Sequence, residues 1–312
     1  MSTSNIFIKL KRIFVDDSGK IIDESDDLYK ILENVNIPGH LKNVKFKLQS
    51  FSDHESGLIF TGEDSKGRVQ YYYGKDHVAA RNESRLDLVI NVHKNIHKIE
   101  NFIKEHNKIT NPVTKEYLFS VMLQLETSLF IRLGKEKYLK ANGTIGLNTL
   151  KPEHVMSDQD NVILKFQGKT GVIQEFNLSK KSLLGKHVLR LANLKNEFLF
   201  SDTNNNKLSE SYIYTQMNMF DVKIKDLRTY GVNKIFLREW DKLLSETDEI
   251  KKPKKMLKHC IEITAKIIGH EANTCKSNYL IKEILELVDD KWFCDSTKTH
   301  DVTGVIKRLI VK

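Results

Sequence analysis

The chain has 312 residues, with 50 Lys and Arg against 41 Asp and Glu, for a formal net charge of +9. With 40% hydrophobic and 29% charged residues, 15 Gly and 4 Pro, its balance is that of a globular protein, which excludes collagen-like, coiled-coil and disordered readings and any long flexible linker. It offers no apolar run of about 18 residues to span a membrane, no secretory-signal layout in MSTSNIFIKLKRIFVDD, and no C-x-x-C spacing among Cys260, Cys275 and Cys294, so a reducing compartment is expected rather than a disulfide or zinc framework.

In chain order, Ile6–Val15 has strand composition, and a short helix is expected over Asp26–Val35, before Pro38. LIFTG and RVQYYYG flank the turn-rich EDSKG, which predicts a hairpin over Gly57–Gly74. Helical period begins near Ala79–Arg85. Val89, Val92, Ile96, Ile99 and Ile103 then fall on one helical face, and Tyr117–Leu133 reads as a second, apolar helix with Gly134 at its C-cap. NVILKFQ and VIQEFNL around GKTG predict a second hairpin over Asn161–Leu178. Helices are expected again over Ser209–Phe220, Asp226–Leu244, Lys255–Ile268 and Tyr279–Val288. The fold class is α+β: a small N-terminal antiparallel β domain, residues 1–79, and a larger, mainly helical domain, residues 80–312, containing a β-hairpin.

The charge divides unevenly. Residues 1–79 hold 11 Lys/Arg against 12 Asp/Glu, so the whole surplus, +10, belongs to residues 80–312. Such a surplus is the footprint of a polyanionic partner or, more simply, a solubilising surface. Three tempting motifs carry nothing. Gly168-Lys169-Thr170 lacks the Gly that a P-loop needs five positions earlier, where Ile163 stands. His93 and His97 have metal spacing, but Lys94 replaces the expected Glu and Lys98 adds repulsion, so both read as surface histidines. Asp289-Asp290 reads as a surface pair at a helix end, not half of a two-metal site.

Five further segments set a cation, a His or a Tyr near an element end: FIRLGKEKYLK with Arg132, FQGKTG with Lys169, IKDLRTYGVN with Lys225 and Arg228, IIGH with His270, and KSNYL with Tyr279. Singly each has a plain explanation: a cation at a helix C-terminus, a turn lysine, a surface arginine, a half-buried tyrosine. Together, and with IPGHL and SKGRVQYYYGKDHV upstream, they resemble the type IB DNA topoisomerases, and the poxvirus-type members in particular.

The resemblance implies an enzyme, an ATP-independent DNA isomerase that needs no cofactor or metal. Tyr279 would attack a phosphodiester to give a 3′-phosphotyrosyl link. Arg132, Arg228 and His270 would hold the non-bridging oxygens, and Lys169 would protonate the leaving 5′ oxygen. It further implies duplex-DNA contacts from Gln70, Tyr71, Tyr73, His77, Lys135, Tyr138, Lys225, Asn233 and Lys276, a monomer clamping around the duplex, and work in the host cytoplasm and virion. The sequence departs from the poxvirus pattern at Thr170 and Ser277, and the cleavage preference, CCCTT-like in that family, is not legible. Tyrosine recombinases share this catalytic set, but place a His three positions before their second Arg, where Lys225 stands here; a non-catalytic DNA-binding module would not need all five positions filled. The lysine-rich Lys251–Lys258 reads as a solvated loop entering a helix.

Overall fold

A computed structural model describes residues 13–16, 18–47, 57–65, 67–109, 111–246 and 252–310. It divides into two compact units, up to Glu83 and from Ser84 onward. The division falls one helical turn later than composition suggests, within a helix that is already formed at Lys75.

In the smaller unit, helix α1 (Asp27–Asn34) begins where the Asp26 side chain accepts from the Leu28 amide, and its Tyr29 and Leu32 turn inward. Strands β1 (Lys42–Phe46), β2 (Leu58–Glu63) and β3 (Val69–Tyr73) form one antiparallel sheet in that order. The expected hairpin is β2–β3, its turn tied by Asp64, which accepts from the Arg68 backbone and guanidinium. Strand β1 was not anticipated, because KNVKF carries two lysines in five residues. Of the strand expected over Ile6–Val15, residues 6–12 lie outside the described residues; Val15 makes an isolated bridge to Ile21. The core is small and aromatic: Phe14, Tyr29 and Leu32 meet Phe46, and Tyr72 stacks on Phe60 at 4.5 Å.

Helix α2 runs Lys75–His106. Of its anticipated apolar stripe, Val89, Val92 and Ile99 are fully buried in the larger unit, with Ile96 and Ile103 packed beside them. Helix α3 (Lys115–Leu129) starts at its Thr114 cap and is buried along almost its whole length. It ends four residues earlier than expected, at Phe130, which adopts a left-handed conformation (φ 52°). Gly134, also left-handed, therefore lies in the segment after the helix and is not its cap.

Helix α4 (Glu136–Asn142) leads to a second antiparallel sheet, β4 (Val155–Ser157), β5 (Asn161–Gln167) and β6 (Ile173–Ser179). The β5–β6 hairpin turns through a 3-10 step at Lys169–Gly171. Helices α5 (Leu183–Asn193), α6 (Glu210–Met219) and α7 (Ile224–Ser245) follow.

The centre of this unit is α7. Trp240, Phe236 and Leu237 are fully buried, and the Trp240 indole stacks on Phe293 at 4.8 Å and donates to its carbonyl. Helix α8 (Pro253–Ile268) starts on Pro253 and stops at Gly269, whose φ of 71° is the left-handed value that favours glycine. Lys251, at the head of the lysine-rich run, lies outside the described residues. A short helix that was not expected, α9 (Ala272–Asn278), is capped by Tyr279. The expected helix over Tyr279–Val288 starts three residues late, as α10 (Lys282–Glu286), and ends in a 3-10 turn at Leu287–Asp289. A last helix, α11 (Val302–Ile310), closes the described chain.

Candidate active site

Four of the five expected catalytic side chains meet directly, each delivered by the end or middle of a different element. Arg132 sits three residues past the end of α3, in a segment fixed by backbone bonds from Leu147 to the Arg132 carbonyl (2.9 Å) and from Asn148 to Leu133 (2.6 Å). That pairing is close because Gly146 has no side chain; a Cβ there would stand 2.4 Å from the Arg132 carbonyl oxygen. The direction of the segment is set at Phe130, whose ring passes over the bare backbone of Gly231 in α7. A Cβ at Gly231 would fall 1.9 Å from Phe130 Cε1. Gly231, in the middle of IKDLRTYGVN, thus serves a close approach inside a helix and not a turn.

Arg228 lies one turn into α7 and is 4% exposed. Its Nη2 donates to the Ile268 carbonyl (3.0 Å) and to His270 Nε2 (2.7 Å). His270 follows the Gly269 cap, its amide bonded to the Ala265 carbonyl at 2.8 Å. Its Nε2 also accepts from Arg132 Nη2 at 3.1 Å. The same Arg132 nitrogen donates to the Tyr279 hydroxyl at 3.2 Å, and the His270 and Tyr279 rings stack at 4.5 Å.

The electrostatics follow from this crowding. Burial, then the neighbouring Arg228, Arg132 and Lys169 charges, push the His270 imidazole down to about 3. It is neutral at pH 7, which lets Nε2 accept from both arginines. Burial and Arg132 lower Arg228 to about 10. For Tyr279 burial opposes the phenolate, but Arg132 and Arg228 outweigh it, and the hydroxyl is held below the ordinary tyrosine value. Behind Arg228, the Glu126 carboxyl is 1% exposed and raised well above its usual range by burial, with Arg228 opposing.

Lys169 is exposed on the β5–β6 turn and close enough to influence His270. The two loops share a neighbour. Gln174, on β6, lies over both glycines: a Cβ on Gly168 would meet its Cγ at 2.9 Å, and one on Gly269 its Nε2 at 2.3 Å.

The expected DNA contacts are spread more widely. Tyr71 and Tyr73 are exposed on one face of β3, Tyr73 stacked on His77 at 4.3 Å. Strand alternation turns Gln70 to the other face, with Tyr72, where its amide donates to Asp64 at 3.0 Å. Lys135 and Tyr138 flank the start of α4; the Lys135 ammonium lies 5.5 Å from the Tyr214 ring centre and 3.7 Å from Glu210. Lys225 and Lys276 are exposed in the first turn of α7 and the last of α9.

Asn233 departs from expectation. It is fully buried, and its amide is spent on the Thr229 and Tyr279 carbonyls (2.8 and 2.9 Å) and the Ile281 N–H (3.0 Å). It holds the tyrosine's backbone, with both amide hydrogens already spent. His93 also differs: it is half-buried, with Nδ1 3.2 Å from the Tyr230 hydroxyl, whereas His97 is exposed. Among the described residues no group of three or more His, Cys, Asp or Glu could hold a metal ion, and no helix is long and apolar enough to cross a membrane. Sequence reasoning missed Glu126, Gln174 and Arg85, which are ordinary residues in ordinary patterns until packing brings them to the site.

Two family models match in order along the chain: viral DNA topoisomerase I, N-terminal, over residues 6–62, and eukaryotic DNA topoisomerase I, catalytic core, over residues 68–298. DNA topoisomerase 1B of Vaccinia virus (strain Copenhagen) is 38% identical over 293 residues, covering 93% of this chain and 91% of that protein. DNA topoisomerase 1 of Rabbit fibroma virus (strain Kasza) is 40% identical over 264 residues, 84% and 82% of the two chains. DNA topoisomerase 1B of Acanthamoeba polyphaga mimivirus is 28% identical over 275 residues, 83% and 80%. All five residues of the candidate site fall inside the catalytic-core match, and with viral relatives aligned over most of its length the chain belongs to the type IB DNA topoisomerases.

Proposed function

We propose that this protein relaxes supercoiled duplex DNA through a transient single-strand break in which Tyr279 is the nucleophile. The observation that carries the proposal is the shared contact at Arg132: one guanidinium nitrogen reaches both the Tyr279 hydroxyl and His270 Nε2, and Arg228 donates to that same ring nitrogen. A scissile phosphodiester entering this cluster meets two guanidinium forks, and an imidazole that donates to it once its single proton sits on Nε2. In the five-coordinate transition state the equatorial oxygens gain charge, and preorganised donors aimed at them lower the barrier, each by about 3–4 kcal/mol if they act like oxyanion-hole donors. Arginine suits the role because it stays charged and grips oxygens with a fork.

Tyr279 gives up its phenolic proton to solvent, favoured by Arg132 and Arg228. Its oxygen then bonds to phosphorus as the bond to the 5′ oxygen breaks, and Lys169 gives the departing oxygen a proton that it regains from solvent. The products are a 3′-phosphotyrosyl link and a free 5′-hydroxyl strand. Rotation of that strand releases supercoils. Reversal, with the 5′ hydroxyl as nucleophile and tyrosine as leaving group, reseals the backbone. The bond energy is conserved in the phosphotyrosine, so ATP has no step to drive, and the side-chain cations supply the charge stabilisation that metal ions supply in other phosphoryl-transfer sites.

The duplex would be gripped by Tyr71, Tyr73 and His77 from the β-rich unit and by Lys135, Tyr138, Lys225 and Lys276 from the helical one, with Gln70 joining only if it leaves Asp64. We assign the protein to a monomer that clamps DNA, and to the host cytoplasm and the virion, on the strength of its poxvirus relatives. Purified protein incubated with negatively supercoiled plasmid in EDTA tests the reading. Relaxation to a ladder of topoisomers is the expected result. Exchange confined to paired sites, or binding with no change in linking number, would contradict it.

A further inference from the structure

Resting on Tyr279 as the nucleophile, we propose that Arg85 is a positioning residue that fixes the nucleophile by gripping the backbone on both sides of it. Arg85, on α2, is 7% exposed. Its Nη1 donates to the Leu280 carbonyl at 2.7 Å and its Nη2 to the Ser277 carbonyl at 2.9 Å. The two acceptors bracket residue 279. No regular structure holds the tyrosine there: it caps the seven-residue α9 at φ −128°, ψ −43°, outside the helical and left-handed regions, and its amide reaches only the Cys275 carbonyl at 3.2 Å.

Ser277 offers one of the carbonyls that a helix leaves unpaired in its last turn, and Leu280 offers one beyond the helix end. A single planar fork satisfies both, which a lysine's one ammonium centre does not do with the same geometry. Asn233 completes the clamp from α7, taking the Tyr279 carbonyl and the Ile281 N–H. The peptide carrying the nucleophile is therefore fixed from two helices, while its ring is left to His270, Arg132 and Arg228. The groups that Arg85 grips are backbone carbonyls on either side of the nucleophile, so its effect passes through the placement of the Tyr279 oxygen, and displacements of about 1 Å at a reacting atom cost on the order of 10²-fold in rate.

A positioning role makes a prediction that a purely structural role does not. Before cleavage the tyrosine is placed by the clamp; in the covalent intermediate it is also placed by its own bond to phosphorus. Loss of the clamp should slow cleavage more than religation and shift their equilibrium toward intact DNA. The experiment measures single-turnover cleavage of a suicide duplex, religation from the preformed covalent complex, DNA affinity and thermal melting for the wild type, Arg85→Ala and Arg85→Lys.

Arg85→Ala is expected to cleave about 10- to 100-fold more slowly, with religation slowed much less, DNA affinity unchanged, and cleavage partly restored by added guanidinium ion. Arg85→Lys should fall between the two, and it carries the test if the alanine variant does not fold. Cleavage at the wild-type rate in Arg85→Lys and Arg85→Ala, or an equal loss of cleavage and religation, would overturn the proposal. Tyr279→Phe is assayed alongside: an adduct persisting there refutes the nucleophile itself, whereas its absence with normal Arg85 variants refutes only the clamp.

Discussion

At the residue scale, the site is organised by charge crowding. His270, Arg132, Arg228 and Lys169 share one corner, and the histidine yields by staying neutral. Its value in the fold, about 3, lies below the ordinary histidine value of 6.5, so the unfolded chain takes up a proton that the native protein refuses. Stability tied to His270 is therefore complete above pH 6.5 and drains away as pH falls toward 3. His270→Gln, which cannot titrate, removes that term. The melting temperature of the wild type minus that of His270→Gln, measured without DNA, should decline steadily from pH 7 to pH 4. Parallel curves over that range would mean that the imidazole is not held neutral.

The same corner shows what a sequence makes legible. Tyr279, Arg228 and His270 are legible because the segments around them together resemble a known family; singly each has a plain explanation. Arg85 stands in RNESRLDL, a charged stretch of helix like many others, and only burial against a distant carbonyl pair distinguishes it. Asn233 is implied by the resemblance as a DNA contact near the site, because nothing in IKDLRTYGVN says that its side chain points into the helix bundle.

At the scale of elements, position depends on where helices stop. Period alone extends α3 to Leu133, since Ile131 and Leu133 continue the apolar pattern. The left-handed turn at Phe130 ends it sooner and sends Arg132 toward α7 instead of along the helix axis. That turn is possible because Gly231 admits the Phe130 ring. A methyl group at Gly231 must displace the ring, a form of overpacking that costs about 1–3 kcal/mol, and the displacement reaches Arg132 two residues later.

Gly231→Ala should lower the melting temperature by about 2–4 °C for each kcal/mol lost and slow cleavage by on the order of 10²-fold. Adding Phe130→Leu should recover part of both. Wild-type cleavage in Gly231→Ala would detach the Phe130 contact from the placement of Arg132. Both hairpins were legible, because turn residues and β-rich flanks coincide in EDSKG and GKTG. The late start of α10 was not: the apolar period reads as helical from Tyr279, and tertiary bonds from Asn233 and Arg85 to residues 280 and 281 override it.

At the scale of the molecule, charge and architecture divide the chain in the same region. Residues 1–79 are neutral to within one charge and residues 80–312 carry +10, while the compact units part at Glu83 and Ser84. A surplus of that size draws a polyanion to the helical unit and is sequence-independent. It does not cut. Cutting is assigned to one tyrosine and the cations around it, and that assignment is the centre of the account.

Covalent trapping tests it most directly. Protein is mixed with a suicide duplex, denatured, and resolved for protein–DNA adducts, with the linked peptide identified by mass spectrometry. The expected result is an adduct on the 3′ end of the cleaved strand, attached at Tyr279 and absent from Tyr279→Phe, which still binds the duplex. An adduct that survives in Tyr279→Phe, or one attached to another residue or to the 5′ end, would contradict it.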